Sequence, residues 1–140
     1  MMLNASTIAG MAFTNVSLGI VHSIAQTLGG VYHVSHGLAD AVILPYIIEY
    51  NYADARSKER YDAMAKALGK EDLAQVIFEL NDRLNIPRNL KGVIKDKEDY
   101  YARLPELADI ALKDGCTKTA PIIPSLEGME ELFVLVYEGK

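Results

Sequence analysis

The sequence predicts an all-α fold, built as one multi-helix domain over residues 1–140. Apolar side chains recur at three- and four-residue intervals, which is the spacing of one helix face. Strand signals are almost absent, because no hairpin dipeptide separates alternating apolar runs. No repeat, low-complexity tract or linker divides the chain, and 140 residues is close to the usual size of a single domain.

The first helix is predicted in a segment without charge, since residues 1–39 contain no Asp, Glu, Lys or Arg. We expect a helix over residues 5–28, ended by Gly29 and Gly30, because glycine commonly follows the last helical turn. A helix of this length is long enough to cross a bilayer. Polar side chains such as His22 are costly in hydrocarbon, and no basic residue flanks the segment on its N-terminal side. The segment therefore predicts a helix buried in a protein core, without membrane contact.

Five further helical segments follow from the apolar periodicity and from the turn residues between them. They are predicted at residues 36–50, 54–68, 71–84, 96–114 and 126–137. Pro45 is expected to kink or split the helix at 36–50, because proline removes a backbone donor. For the same reason, Pro105 is expected to interrupt the helix at 96–114. Residues 115–124 are predicted to form a loop, and Ser125 to cap the last helix.

Charge and cysteine content exclude several classes of partner and location. The formal net charge of −5 offers no cationic field for phosphate groups, so a nucleic-acid partner is not expected. Cys116 is the only cysteine, so no intrachain disulfide can form. Residues 1–10 lack the basic start of a secretory signal. These features favour a reducing cytoplasm.

The three histidines are the sharpest candidate for a functional site. His22, His33 and His36 fall within 15 residues. Neutral imidazole is a common ligand of zinc and other divalent transition ions. If one helix presents His22 and the next begins at His36, two ring nitrogens can converge on one ion. Gln26 lies on the same helical stripe as His22, because four residues correspond to about 40° on a helix.

Simpler interpretations of the same residues stay open. A histidine on an apolar helix is more often a core residue whose ring bonds to a backbone carbonyl or a side chain. Metal centres ordinarily need three or four protein ligands, which two histidines do not supply. His33 is expected in a loop or at the surface. Asp40, one turn after His36, is expected to be an ordinary polar position on its helix.

A series of motifs carries a resemblance to a known family. The motifs are ASTIAGMAFTN at residues 5–15, LGIVH at 18–22, LGG at 28–30, SHG at 35–37, AVILP at 41–45 and ALKD at 111–114. Taken in order, they resemble the iron-containing alcohol dehydrogenases. The resemblance extends over essentially the whole chain.

The resemblance implies a two-domain parent enzyme, in which a nucleotide-binding α/β domain precedes an all-helical metal-binding domain. This chain then corresponds to most of the second domain. By the pattern of the family, His22 and His36 are two ligands of iron, or of zinc in some members. The other two ligands, an Asp and a His, are expected before Met1, together with the nucleotide-binding motif. Gln26 stands where many members have a third histidine near the nicotinamide, which makes it the candidate cofactor-binding residue.

Two functions of different classes follow from these observations. In the first, the chain is part of a metal-dependent enzyme that exchanges a hydride between a primary alcohol or aldehyde and NAD(P). We expect it to be inactive on its own, because two of the four metal ligands and the nucleotide-binding domain are expected outside it. No catalytic residue is expected in this chain, since Gln26 can hydrogen-bond but cannot shuttle a proton. In the alternative, the chain is a helical oligomerisation or binding module without catalytic activity. Its apolar first helix, left without packing partners, would then form a homo-oligomer.

Overall fold

The computed structural model describes all residues, Met1–Lys140, and contains only helices and connecting turns. The α helices are α1 (Met2–Phe13), α2 (Ile20–Tyr32), α3 (His36–Asn51), α4 (Ala55–Ala67), α5 (Leu73–Arg83), α6 (Lys97–Ala102), α7 (Leu104–Lys113) and α8 (Leu126–Glu138). A short 3₁₀ helix, Gly115–Thr119, lies between α7 and α8. The prediction of an all-α fold is confirmed.

The first predicted helix is in fact two helices, so its predicted extent was wrong. Helix α1 ends at Phe13, where Thr14 Oγ1 donates to the Gly10 carbonyl at 2.7 Å and Asn15 Nδ2 donates to the Met11 carbonyl at 2.9 Å. The Asn15 side chain thus occupies the Met11 carbonyl that the Asn15 amide would use in a continuing helix, and that amide donates to the Ala12 carbonyl instead. Ser17 then takes a left-handed conformation with φ of 64°, which turns the chain before α2 begins.

The two halves of the charge-free segment have different environments. No residue of α1 is buried, so the expectation of a core helix was wrong for this half. Helix α2 is a core helix, with Ile24 and Leu28 fully buried. The two glycines do not end it, because α2 continues to Tyr32 and His33 ends it in a left-handed conformation. No helix of the chain combines the length and the apolarity that a membrane span requires.

Pro45 lies inside an unbroken α3, so the expected split of this helix was wrong. A proline leaves the carbonyl four residues earlier without its helical donor. Here that carbonyl belongs to Ala41, and the buried side chain of Asn81 on α5 donates to it at 2.6 Å. A tertiary contact therefore replaces the hydrogen bond that the proline removes.

The C-terminal half follows the sequence prediction more closely. Helix α6 ends at Ala102 and α7 begins at Leu104, with Pro105 in its first turn. The Ser125 hydroxyl accepts a hydrogen bond from the Gly128 amide at 3.1 Å, which confirms the predicted cap of α8. The predicted loop at 115–124 contains the 3₁₀ helix.

Helices α2 and α3 pack together at the centre of the molecule, with α7 against α2 and α8 against α7. The fully buried side chains include Ile43 of α3, Leu107 of α7 and Phe133 of α8. Helix α5 covers the other side of α3. The central pair is therefore held on both sides, and its relative position is fixed by close packing.

The end of α8 is anchored by one carboxylate. Glu138 accepts hydrogen bonds from the Lys97 ammonium at 2.8 Å and the Tyr101 hydroxyl at 2.7 Å, and it also forms an ion pair with Lys91. Hydrogen bonds from Lys91, Lys97 and Tyr101 lower the pKa of Glu138 from 4.5 to about 2. A carboxyl group with a lowered pKa stabilises the fold only while it is ionised.

We expect the Glu138→Gln variant to be less stable than the wild type near neutral pH, with a difference that disappears in acid. The contribution of Glu138 is complete above its unfolded pKa of 4.5 and is lost as the pH falls through about 2. Urea unfolding midpoints of both proteins, measured from neutral pH down to about pH 2, test this. Glu131→Gln, at an exposed position of the same helix, is the matched control. A difference that does not change with pH would contradict the assignment.

Candidate metal centre

The candidate ligands lie in the N-terminal turns of α2 and α3. His22 lies in the first turn of α2, and His36 is the first residue of α3. Asp40 follows one turn later on α3, and helical residues four apart lie on the same face. The connection between α2 and α3 is only three residues long, at 33–35. The packing of α2 on α3 then places all three side chains in one cluster.

The three side chains point toward one another. His22 Nε2 lies 3.6 Å and His36 Nε2 lies 3.3 Å from Asp40 Oδ2. The two imidazole ring centres are 5.2 Å apart, with an angle of 62° between the ring planes. One donor atom from each of the three residues lies within 4.8 Å of the others. The rings therefore do not turn apart toward main-chain partners, as ordinary core histidines would.

The cluster is partly exposed to solvent. About a quarter of the side chain is exposed for His22 (27%) and Asp40 (25%), and about half for His36 (51%). The Oδ1 atom of Asp40 is buried and has no hydrogen-bond partner. Burial raises the pKa of Asp40, and the two neighbouring histidines oppose this effect. One oxygen of this carboxylate therefore contacts the two histidines, whereas the other is buried without a partner.

The donor set fits a divalent transition ion. Two imidazole nitrogens and a carboxylate oxygen are ligands that iron and zinc accept in proteins. The cluster is held on helices, which are more rigid than loops and fix the positions of ligand atoms. The observed residues can therefore hold the metal that the family resemblance implies.

The structure places Asp40 differently from the sequence expectation. We expected an ordinary polar position, but Asp40 lies between both histidines. Two signals in the sequence pointed to it. It is the first charged residue of the chain, and it follows His36 at helical spacing. Its contact with His22 depends on tertiary packing, which the spacing alone does not give.

The other candidates lie outside the cluster. His33 is exposed at the end of α2, as expected. Gln26 is exposed one turn after His22, and its amide lies 3.9 Å from the sulfur of Cys116. The Gln26 amide is therefore directed toward Cys116.

An open cleft adjoins the cluster. It has a volume of about 1000 Å³, and His22 and Asp40 lie on its wall. Apolar side chains, including those of Leu44 and Ile47 of α3, line the neighbouring part of the wall. Binding sites for small molecules commonly combine an apolar surface with a few polar groups. The cleft can thus hold a small, mainly aliphatic molecule beside the candidate ligands.

The sequence of the chain is similar to those of proteins with known activity. Residues 1–137 match the profile of the Fe-containing alcohol dehydrogenase family, C-terminal. An aldehyde-alcohol dehydrogenase of Streptococcus pneumoniae is 35% identical, over 99% of this chain and 18% of that protein. An NADPH-dependent butanol dehydrogenase of Clostridium saccharobutylicum is 34% identical, over 96% of this chain and 37% of that protein. The chain therefore spans less than two fifths of the length of these relatives.

A solved structure contains the same arrangement of helices. The iron-containing alcohol dehydrogenase from Thermococcus thioreducens matches with a TM-score of 0.89 and 33% sequence identity, over 98% of this chain and 36% of that chain. The expectation of a fold like the helical C-terminal domain of such enzymes is confirmed.

Proposed function

The chain belongs to the iron-containing alcohol dehydrogenase family and corresponds to its C-terminal helical part, and from this premise we propose that it supplies the metal-binding half of an oxidoreductase. The reaction is the exchange of a hydride between a primary alcohol or aldehyde and NAD(P). The observation that carries the proposal is the convergence of His22 and His36, from two helices, on one side of Asp40. We place the enzyme in the cytoplasm, with a small-molecule substrate.

Each part of the site has a role in this proposal. His22 and His36 hold an iron or zinc ion through their ring nitrogens. When bound, such an ion supplies Lewis acidity toward the oxygen of an alcohol or a carbonyl group. Leu44 and Ile47 bind the aliphatic part of the substrate in the adjoining cleft and exclude water from it. Gln26 donates or accepts a hydrogen bond toward the nicotinamide cofactor, and it does not transfer a proton.

The metal assignment predicts a specific pattern of binding losses. We expect the 140-residue chain to bind Zn²⁺ and the variants His22→Ala and His36→Ala to bind it at least about tenfold more weakly, because each lacks one ligand nitrogen. Isothermal titration calorimetry with Zn²⁺ measures these affinities. His33→Ala is the matched control, since His33 is exposed and lies outside the cluster. Equal losses in all three variants, or no loss in any, would contradict the assignment.

The nucleotide cofactor needs a further part of the enzyme. The chain spans between 18% and 37% of the length of the relatives described above, and none of its helices carries a glycine-rich dinucleotide motif. We propose that NAD(P) binds mainly to polypeptide outside these 140 residues. Hydride transfer depends on the cofactor, so the helical part alone provides binding and orientation without turnover.

We therefore expect the purified 140-residue chain, loaded with Zn²⁺ or Fe²⁺, to show no alcohol-dependent reduction of NAD⁺ or NADP⁺. The absorbance of the reduced nicotinamide measures the reaction with a short primary alcohol as substrate. A metal-loaded relative with both domains serves as the positive control. Turnover by the isolated chain, without any second polypeptide, would refute this division of roles.

A second candidate function is assembly without catalysis. Helix α1 carries the apolar side chains of Leu3, Ile8 and Met11, and all three are largely exposed. Apolar surface of this extent tends to associate in water. The proposal is that α1 packs against another copy of the chain and forms a homo-oligomer.

Assembly through α1 predicts a particular response to polar substitution. We expect the wild type to be a dimer or larger at micromolar concentration, and the double variant Ile8→Gln, Met11→Gln to shift toward the monomer, because it removes the apolar contact. Size-exclusion chromatography with light scattering measures the mass. Leu68→Gln, which replaces an exposed apolar residue after α4, is the control. A monomeric wild type would contradict the assembly proposal.

A further inference from the structure

We propose that the 3₁₀ helix Gly115–Thr119 clamps the first turns of α2, and that Thr117 is the residue through which it positions His22. Thr117 lies outside the cluster of His22, His36 and Asp40, so it acts through the backbone of α2 and not as a ligand. The clamp itself is independent of any metal. Its consequence for metal binding rests on the proposed function.

The first turn of α2 has no support from residues close to it in the chain. Gly19 precedes the helix without a side-chain cap, and no acidic residue lies in the first turn. Helix α1 buries none of its residues, and residues 14–17 after it are exposed. Four other helices, α4, α5, α6 and α8, each have a side-chain cap, from Asp54, Asp72, Asp96 and Ser125. Because an uncapped helix end frays readily, contacts from elsewhere in the fold must hold this end of α2.

The 3₁₀ helix supplies such contacts at three positions. Each joins one of its side chains to α2 or to the connection before α2: Thr119 Oγ1 to the Leu18 carbonyl, Thr117 Oγ1 to Ser23 Oγ, and Cys116 Sγ to the Gln26 amide. The contact of Cys116 is the weakest, because sulfur is a poor acceptor. The start of α2 is therefore held on both sides of His22 by one segment from the C-terminal half of the chain.

The contact between Thr117 and Ser23 is buried. Thr117 is 1% exposed and Ser23 is 0% exposed. The Thr117 Oγ1 atom lies 2.7 Å from Ser23 Oγ and 2.6 Å from the carbonyl oxygen of Ala111 on α7. A carbonyl can only accept, so Thr117 donates its proton to Ala111 and accepts a hydrogen bond from Ser23. Thr117 thus links the end of α7 to the start of α2, and breaking this link would leave buried polar groups without partners.

The link matters to His22 because Ser23 is the next residue of α2. The same turn of backbone carries both side chains, and with that turn in place His22 Nε2 lies 3.6 Å from Asp40 Oδ2. Local opening of a helix end moves its side chains away from their tertiary neighbours. The clamp therefore keeps His22 facing Asp40 and His36 before any ion binds.

Nuclear magnetic resonance of the metal-free, 140-residue chain tests the clamp. Thr117→Val keeps the shape of the side chain and loses the hydroxyl. We expect it to speed hydrogen exchange of the amides at 23–25 at least about tenfold, because buried groups lose their partners, and to change exchange at 29–31, the other end of α2, much less. The nuclear Overhauser effect between the rings of His22 and His36, whose centres are 5.2 Å apart, should weaken in the same variant.

Three further variants separate the clamp from general stability. Thr117→Ser keeps the hydroxyl and should retain both the slow exchange and the ring contact. Thr27→Val removes another buried hydroxyl of α2, whose partner is the Ser23 carbonyl in the same helix, and should leave the start of α2 closed. Ser23→Ala removes the other half of the link while Thr117 keeps its bond to Ala111. It should reproduce the effect of Thr117→Val even if that variant folds poorly.

Uniform effects would overturn the inference. Equal acceleration at both ends of α2 in Thr117→Val and Ser23→Ala would mean that the link contributes only to overall stability. Unchanged exchange at 23–25, or an unchanged contact between the rings of His22 and His36, would overturn it as well.

Titration with Zn²⁺ distinguishes the clamp from the proposed metal site. If the wild type binds Zn²⁺, we expect Thr117→Val to bind it at least about threefold more weakly, since a ligand that is in place only part of the time lowers the apparent affinity. Thr117→Ser should bind as the wild type does. Wild-type affinity in Thr117→Val would refute the positioning of His22. If the wild type itself binds no Zn²⁺, the proposed metal site is wrong, and the exchange and ring-contact results still decide the clamp.

Discussion

The packing of α2 on α3 is the interaction on which the rest of the structure depends. Ile24 and Leu28 of α2 and Ile43 of α3 are fully buried in one core. Close packing of this kind allows little sliding between helices. Because His22 extends from α2 and His36 with Asp40 from α3, the same contact that stabilises the fold also sets the distances within the polar cluster.

The continuity of α3 through Pro45 matters to the site. Pro45 removes one helical hydrogen bond only five residues after Asp40, and proline commonly kinks or breaks a helix. The Asn81 amide bonds to the carbonyl that Pro45 leaves free. A polar contact from α5 thus replaces the lost hydrogen bond within the helix that carries His36 and Asp40. The apolar cleft then begins directly beside that cluster, where His22 and Leu44 line the same wall.

The sequence predicted those features that depend on local chemistry. The cap by Ser125 and the break near Pro105 follow from residues close in the chain, and the structure contains both. The break after Phe13 was missed because apolar composition suggested one continuous helix, while Thr14 and Asn15 bond back to the preceding turn. The split expected at Pro45 is absent because a compensating donor, Asn81, lies far away in the sequence.

The candidate site was also only partly predictable from the sequence. His22 and His36 lie in the sequence motifs that resemble the family, whereas the position of Asp40 beside them depends on tertiary packing.

The central claim is that the cluster of His22, His36 and Asp40 forms the binding site of one ion. Anomalous diffraction from crystals of the Zn²⁺-loaded chain, collected at the zinc absorption edge, tests it most directly. We expect one strong peak about 2.0–2.2 Å from both His22 Nε2 and His36 Nε2. A strong peak elsewhere, or none in this cluster at full zinc loading, would contradict it.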